Sequence, residues 1–205
     1  LGMNPDIDHT GPMTATVADN ALLLEVLAGK DGEDTRQINV PDTPVTYTAA
    51  LGSSDLTGLR VGVVAEGFGL PSSEADVDTA VRAAATLFSD LGATVTDISI
   101  PLHAQAGALT FGATQAITTS MFQLDGCLIE RPDSVPESFI QHQMRWRGRA
   151  DELPANIKSS LITGELLRRR YGYTLIARAK QNVQRMRQEY DNALTRVDVL
   201  VMPTT

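Results

Sequence analysis

At 205 residues, with 42% hydrophobic and 20% charged positions, the chain has the composition of a globular domain large enough for one sizeable core, not that of a disordered one. Cys127 is the single cysteine, which excludes an intrachain disulfide, and no run of about eighteen apolar residues is present to build a membrane span. Net charge is −8, split into 17 acidic against 4 basic residues up to Glu130 and 8 against 13 from Arg131 onward.

Leu1 to Pro5 carry no start signal and read as a cut end, and nothing there resembles a signal peptide, so a cytoplasmic location is expected. Asp8-His9-Thr10-Gly11-Pro12-Met13 forms a turn ahead of Thr16, which with Asp19 three residues on makes a weak capping box. The spacing predicts a helix up to Gly29. Val17, Ala21, Leu24 and Ala28 line one face, Ala18 and Leu22 widen it, and that face is expected to be buried. Lys30 to Ser54, rich in Asp, Thr and Pro, reads as a surface connection. Gly52-Ser53-Ser54 imitates a serine-nucleophile loop but lacks the flanking glycines, so it reads as loop.

Leu59 to Val64 is a short apolar run expected to be a buried strand. Gly67 and Gly69 turn the chain, Ser72 or Ser73 caps a helix with Val77, Val81, Ala84, Phe88 and Leu91 on one face, and Ala93 to Ile100 returns as a strand. Strand, helix, strand packs as a right-handed crossover with parallel strands, which makes the fold class α/β. A dinucleotide site is rejected because the third glycine is absent and Asp97 is badly spaced.

Pro101 to Leu124 is expected to hold a helix or two, with Phe111, Ile117, Met121 and Phe122 at helical spacings. His103 reads as a surface or packing histidine. His9 and His142 are equally solitary, so no metal is expected. Arg131 to Pro154 is the least regular stretch and contains Trp146, the only tryptophan. The arginines from Arg131 onward are spread over helical positions without the interleaved aromatics of a nucleic-acid surface, and Arg145, Arg147 and Arg149 beside Trp146 read first as solvated and second as a docking face for the missing portion. Ala155 to Arg168 is helical, ended by three arginines, and Lys158-Ser159-Ser160 inside it reads as structural because neighbouring side chains diverge. From Tyr173 to Val197 an apolar stripe runs through Leu175, Ala179, Val183, Met186, Tyr190 and Leu194, and Val199 to Met202 reads as a strand apolar enough to be central.

Two segments carry a resemblance. Asp8 to Asp19 with the run Leu22 to Gln37, and Tyr190 to Leu194 with Asp198-Val199-Leu200-Val201-Met202-Pro203-Thr204-Thr205, resemble, in order, two stretches of the amidase signature enzymes, a family of serine amidohydrolases. The resemblance implies that residues 1–205 are a partial amidase domain, a mixed β-sheet flanked by helices, with a less regular pocket or cover region at about 101–154. It implies hydrolysis of a carboxamide to a carboxylic acid and ammonia through a Ser-cisSer-Lys mechanism whose three residues lie in a Gly/Ser-rich region upstream of Leu1. No catalytic residue is therefore assigned within the chain, and no cofactor is needed. Trp146 and Thr204 are the candidates for the substrate pocket, Trp146 reading first as a packing residue. Small or aromatic uncharged amides are the expected substrates, and the missing catalytic portion is the expected partner. No nucleic acid or membrane is implied, and a homo-oligomer is left open. The pattern from Ala155 to Asp191 is nearest to amidases that accompany nitrile-converting enzymes. Two alternatives stand beside this reading: the glutaminase-type subunit of a tRNA-dependent amidotransferase, and a non-catalytic α/β binding module. The former requires an arginine for the glutamine α-carboxylate, which the sequence does not place.

Overall fold

In Arg60-Val61-Gly62-Val63-Val64 the last four residues are all buried, which is what a strand covered on both faces needs. The computed structural model describes residues 10–32, 37, 39–52, 55–71, 73–126 and 136–204. The readings made on Leu1 to Pro5, His9, Ser53, Ser54, Ser72, Cys127, Arg131 and Thr205 lie outside the described residues. Those described fall into two groups, residues up to 52 with 114–170, and residues 55–113 with 171–204.

The second group is the α/β part. β1 (Arg60–Val64) is followed by α2 (Ala75–Asp90) and β2 (Thr94–Ile98), the first helix of the chain being α1 (Val17–Leu27). β3 (Val199–Val201) comes last in sequence, and the sheet order is β2-β1-β3 with both pairings parallel. Val61 stands opposite Val95 on one side and Val199 on the other. Gly62 is fixed by close approach: a Cβ there would lie 2.9 Å from Ile98 Cδ1 and 3.0 Å from Val197 Cγ2. Val64, Ile98, Ile100, Ala193 and Val197 form the core, with Tyr190, Leu200 and Met202 packed on it.

The structure departs from the sequence reading in β3, α2 and α6. β3 was expected to be central, but among the described residues it is the edge strand beside β1, and Val199 is exposed. α2 begins at Ala75 with Glu74 as N-cap and no capping side chain, while Ser73 Oγ accepts instead from Leu70 N at 3.2 Å. Its inward line is Asp78, Val81, Ala85 and Phe88, whereas Val77 and Ala84 face out, because Asp78 turns toward Gly69 and accepts its N–H at 2.8 Å. On α6 (Thr174–Leu194) Ala179 and Ala193 are buried, but Val183 and Leu194 are exposed, so the stripe is broken.

β1 and β3 are tied at their starts. Asp198 accepts from Arg60 N (2.8 Å), Nε (3.1 Å) and Nη2 (2.6 Å), and Asp198 N donates to Arg60 O at 2.8 Å. The Arg60 side chain and its backbone N–H together hold the Asp198 carboxyl down to about 2, against an ordinary 3.8. A folded value below the unfolded one means the stabilisation is complete above the unfolded pKa and disappears as pH falls through the folded one. Asp198→Asn is therefore expected to lower the urea midpoint at pH 7, with the gap to wild type closing between about pH 4 and pH 2. A gap independent of pH in that window would remove the ion pair from the account.

In the first group, Thr16 Oγ1 accepts from Asp19 N (3.1 Å) and donates to Asp19 Oδ2 (2.8 Å), so α1 starts with the capping box its sequence predicts. It ends at Ala28, followed by Gly29 at positive φ. The expected burial of α1 is not found: none of its residues is buried, and Val17, Leu22, Leu23, Val26 and Leu27 are exposed. α3 (Ala106–Gln123) crosses the division between the groups at residue 113, and α4 (Glu137–Gln143) and α5 (Ala155–Tyr171) follow it. α3 and α5 approach at Gly164, where a Cβ would overlap Thr119 Oγ1 and the Gln115 carbonyl.

Candidate functional site

In an open parallel sheet, ligands collect outside the carboxyl ends of strands at the point where the connections diverge. Here that point lies between β1 and β3, because the chain leaves β1 for β2 on one side while β3 lies on the other. β1 exits into a tight helical turn, Ala65–Gly67, and β3 exits into Met202-Pro203-Thr204. Between them is a cavity of about 270 Å³ lined by Gly67, Ser73, Glu74, Val77, Asp78, Pro203 and Thr204. Gly67 is required for it, since a Cβ there would sit 3.0 Å from Met202 Cβ. Gly69, at φ +65, lets the chain double back to α2 and donates to Asp78.

The cavity carries two hydroxyls and two carboxylates beside two apolar residues, and among the described residues no lysine, arginine or histidine lines it. Asp78 Oδ1 is buried and without a hydrogen-bond partner among the described residues. Behind Gly67 a polar cluster holds the strand exits together. Glu66 accepts from Ser99 Oγ and from Ile100 N (2.8 Å), and His103 Nδ1 lies 2.6 Å from Tyr190 OH. Burial pushes the Glu66 carboxyl up, but the bonds from Ser99 and Ile100 and the charge of His103 leave it below its ordinary value. Burial raises the Tyr190 hydroxyl. His103 is thus a half-buried structural histidine, and among the described residues no group of three or more His, Cys, Asp or Glu is placed to hold a metal.

Of the two pocket residues expected from sequence, Thr204 lines this cavity. Trp146 belongs to the other group of residues and finishes the end of α3. Its Nε1 donates to Phe122 O at 3.1 Å, and its ring meets Phe122 edge to face at 5.3 Å. Arg147 Nη2 donates to Gln123 O at 3.3 Å and pairs with Asp125, whose φ of +54 makes the turn after the helix. Together these donors satisfy carbonyls that a helix end leaves orphaned. Lys158 Nζ donates to Asp151 O at 2.7 Å, which anchors the start of α5 and leaves the Ser-Ser-Lys cluster structural. Asp78 and Gly67 were missed as lining residues. The Gly67-x-Gly69 turn was the available signal, and it was read only as chain reversal.

A second hollow, about 400 Å³, lies between the end of α1 and residues 40–47. Its polar groups pair internally, Lys30 with Asp42 at 2.6 Å and Glu25 with Thr48 N at 2.6 Å, so it offers less to a ligand.

A family model described as "Amidase" matches residues 1–205. An enantioselective amidase of Rhodococcus rhodochrous is 42% identical over 202 residues, covering 97% of this chain and 38% of that protein. A glutamyl-tRNA(Gln) amidotransferase subunit of Synechococcus sp. (strain RCC307) is 33% identical, covering 97% of this chain and 40% of its own length. Among solved structures, the glutamyl-tRNA(Gln) amidotransferase subunit from Thermotoga maritima aligns with a TM-score of 0.56 at 19% identity, covering 95% of this chain and 38% of that chain, a likeness of fold alone. The chain spans about two fifths of the length of these curated relatives.

Proposed function

This chain belongs to the amidase family, and from that membership we propose that it is the non-nucleophilic portion of an amide hydrolase that converts a carboxamide to a carboxylic acid and ammonia. The observation that carries the reading is the family match over residues 1–205, together with 42% identity to an enantioselective amidase. In this reading a serine outside the chain attacks the amide carbon, backbone N–H groups hold the oxyanion, and a lysine moves protons through a second serine. Water then releases the acid. The contribution of this chain is the parallel sheet, the cavity at the strand exits and the helices beside them. Thr204 is supported as a pocket residue by its place on that cavity, and Trp146 is retained as a pocket candidate on the family resemblance. The substrate is a small neutral amide: Val77 and Pro203 offer apolar surface, and Glu74 and Asp78 repel a carboxylate. A cytoplasmic setting, and a partner that supplies the nucleophile, belong to the same proposal.

The second reading, a glutaminase-type subunit of a tRNA-dependent amidotransferase, is favoured by the 33% identical amidotransferase sequence and by the fold likeness.

Ammonia release from small aliphatic and aromatic amides tests the proposal. The isolated 205-residue chain is expected to show background rates only, and a longer protein containing these residues together with the family's serine-rich region is expected to turn the amides over. Turnover by the isolated chain that survives repurification overturns the division of labour. Hydrolysis of glutamine but of none of the simple amides selects the second reading.

A further inference from the structure

Behind the strand exits, four segments of the α/β group meet at one histidine. His103, in the helical turn His103–Gln105 that follows β2, sets its Nε2 3.5 Å from the point a Cβ on Gly67 would occupy. Met202 Cβ and Pro203 Cδ converge on the same point, at 3.0 and 3.5 Å. The other ring nitrogen, Nδ1, is 2.6 Å from Tyr190 OH on α6, and Met202 Sδ lies 3.9 Å from that hydroxyl. Tyr190 thus has two acceptors within reach and one hydroxyl proton to give.

Which acceptor takes the proton depends on the charge of the ring. A neutral imidazole nitrogen accepts better than a thioether, and 2.6 Å is short for an N–H donor to oxygen but ordinary for a hydroxyl donor. The neutral ring therefore accepts the Tyr190 hydroxyl at Nδ1 and carries its own hydrogen on Nε2. A protonated ring has hydrogens on both nitrogens, so Nδ1–H donates and the Tyr190 oxygen accepts. The hydroxyl hydrogen is then released toward Met202 Sδ. The exchange takes up one proton from solvent.

We propose that His103, Tyr190 and Met202 form a pH-sensitive switch, in which protonation of His103 reverses its hydrogen bond with Tyr190 and ties the exit of β3 to α6 through Met202. An imidazole ordinarily changes charge between about pH 5 and pH 8, which sets the window. The titratable groups that meet the ring's turn are Glu66, from the turn after β1, and Glu189 and Tyr190, from α6, with Glu189 accepting from Leu102 N at 3.0 Å. The exits of β2 and β3 bring Ser99, Met202 and Pro203, which do not titrate. Burial pushes the Glu66 carboxyl up, but the bonds from Ser99 and Ile100 leave it below its ordinary value, so Glu66 keeps its charge throughout this window. The effect falls on the cavity, because Pro203 and Thr204, the two residues after Met202, line it. Its β3 wall is held to α6 at low pH and released at high pH. The switch is a property of the sheet and does not depend on the amide-hydrolase reading.

A nuclear magnetic resonance titration of the 205-residue chain with isotope-labelled methionine methyl groups, from about pH 8 to about pH 5, tests this, Met202→Leu assigning the Met202 signal. The Met202 methyl is expected to move in a single step with the same midpoint as the His103 ring protons. In Tyr190→Phe the ring is expected still to titrate while the Met202 methyl loses its response, because only the hydroxyl links them. His103→Gln is expected to abolish the response as well. A Met202 methyl that stays still while His103 titrates, or a His103 ring that does not titrate in the window, overturns the proposal. A response that survives in Tyr190→Phe shows that Met202 senses the ring charge directly and overturns it too. Should Tyr190→Phe fail to fold, the wild-type and His103→Gln titrations decide: a response kept in His103→Gln overturns the switch, and one lost there supports it.

Discussion

Replacing Ile100 with alanine is expected to cost about 3 kcal/mol of unfolding free energy. Ile100 is completely buried, just past the end of β2, where it packs with Val64, Ile98, Ala193 and Val197. The site cannot collapse around the smaller side chain, because each neighbour is held by something else. Val64 and Ile98 are paired in the β1–β2 ladder, and the backbone N–H of Ile100 is fixed on the Glu66 carboxylate at 2.8 Å. The void therefore persists and adds to the lost transfer free energy. Urea unfolding followed by circular dichroism measures the loss, with Val26→Ala as the exposed comparison, expected within about 0.5 kcal/mol of wild type. A loss below about 1 kcal/mol for Ile100→Ala would mean that the core repacks and that the strand exits are not fixed as described.

The second large effect is expected at Gly164, where alanine should destabilise by about 2 kcal/mol although alanine is the better helix former. An added Cβ meets Thr119 Oγ1 and the Gln115 carbonyl, with the carbonyl carbon 2.8 Å away. Thr119 can turn its hydroxyl aside, but the Gln115 backbone cannot move without shifting α3 as a whole. Gly107 supplies the control on α3 itself: a Cβ there meets nothing within 4 Å, so Gly107→Ala is expected to be neutral or to stabilise by up to about 1 kcal/mol. If both substitutions stabilise, α3 and α5 do not approach at Gly164.

The two glycines show where sequence reading stops. Both sit in helical stretches, and nothing local distinguishes the one that another helix presses against. The α/β unit, by contrast, was legible. The β-branched run of β1, the amphipathic spacing of α2 and the turn at Gly92 each follow from local chemistry, as does the capping box of α1. The inward face of α2 was misjudged by one position because Asp78, a residue expected in solvent, is drawn inward by the Gly69 N–H, a contact made across nine residues. The edge position of β3 was illegible for a related reason: apolar character reports that a strand is covered, not which neighbours flank it. At the candidate site the motif resemblance named Thr204, which lines the cavity, but the cavity is also lined by Gly67, Ser73 and Asp78, which come together only when β1 and β3 are parallel neighbours.

That pairing also sets the order in which the polypeptide acquires its form. Arg60 and Asp198 are separated by 138 positions, whereas β1 and β2 are joined through one helix and a short turn. Closing so long a loop is entropically slow, while the β1-α2-β2 segment is completed by local contacts. At a synthesis rate of about 5–20 residues per second, β3 emerges several seconds after the β1-α2-β2 segment is complete in sequence. Until β3 arrives, the backbone groups of Arg60 and Gly62 that face it lack strand partners, which makes that side of β1 an open edge for pairing with other extended chain.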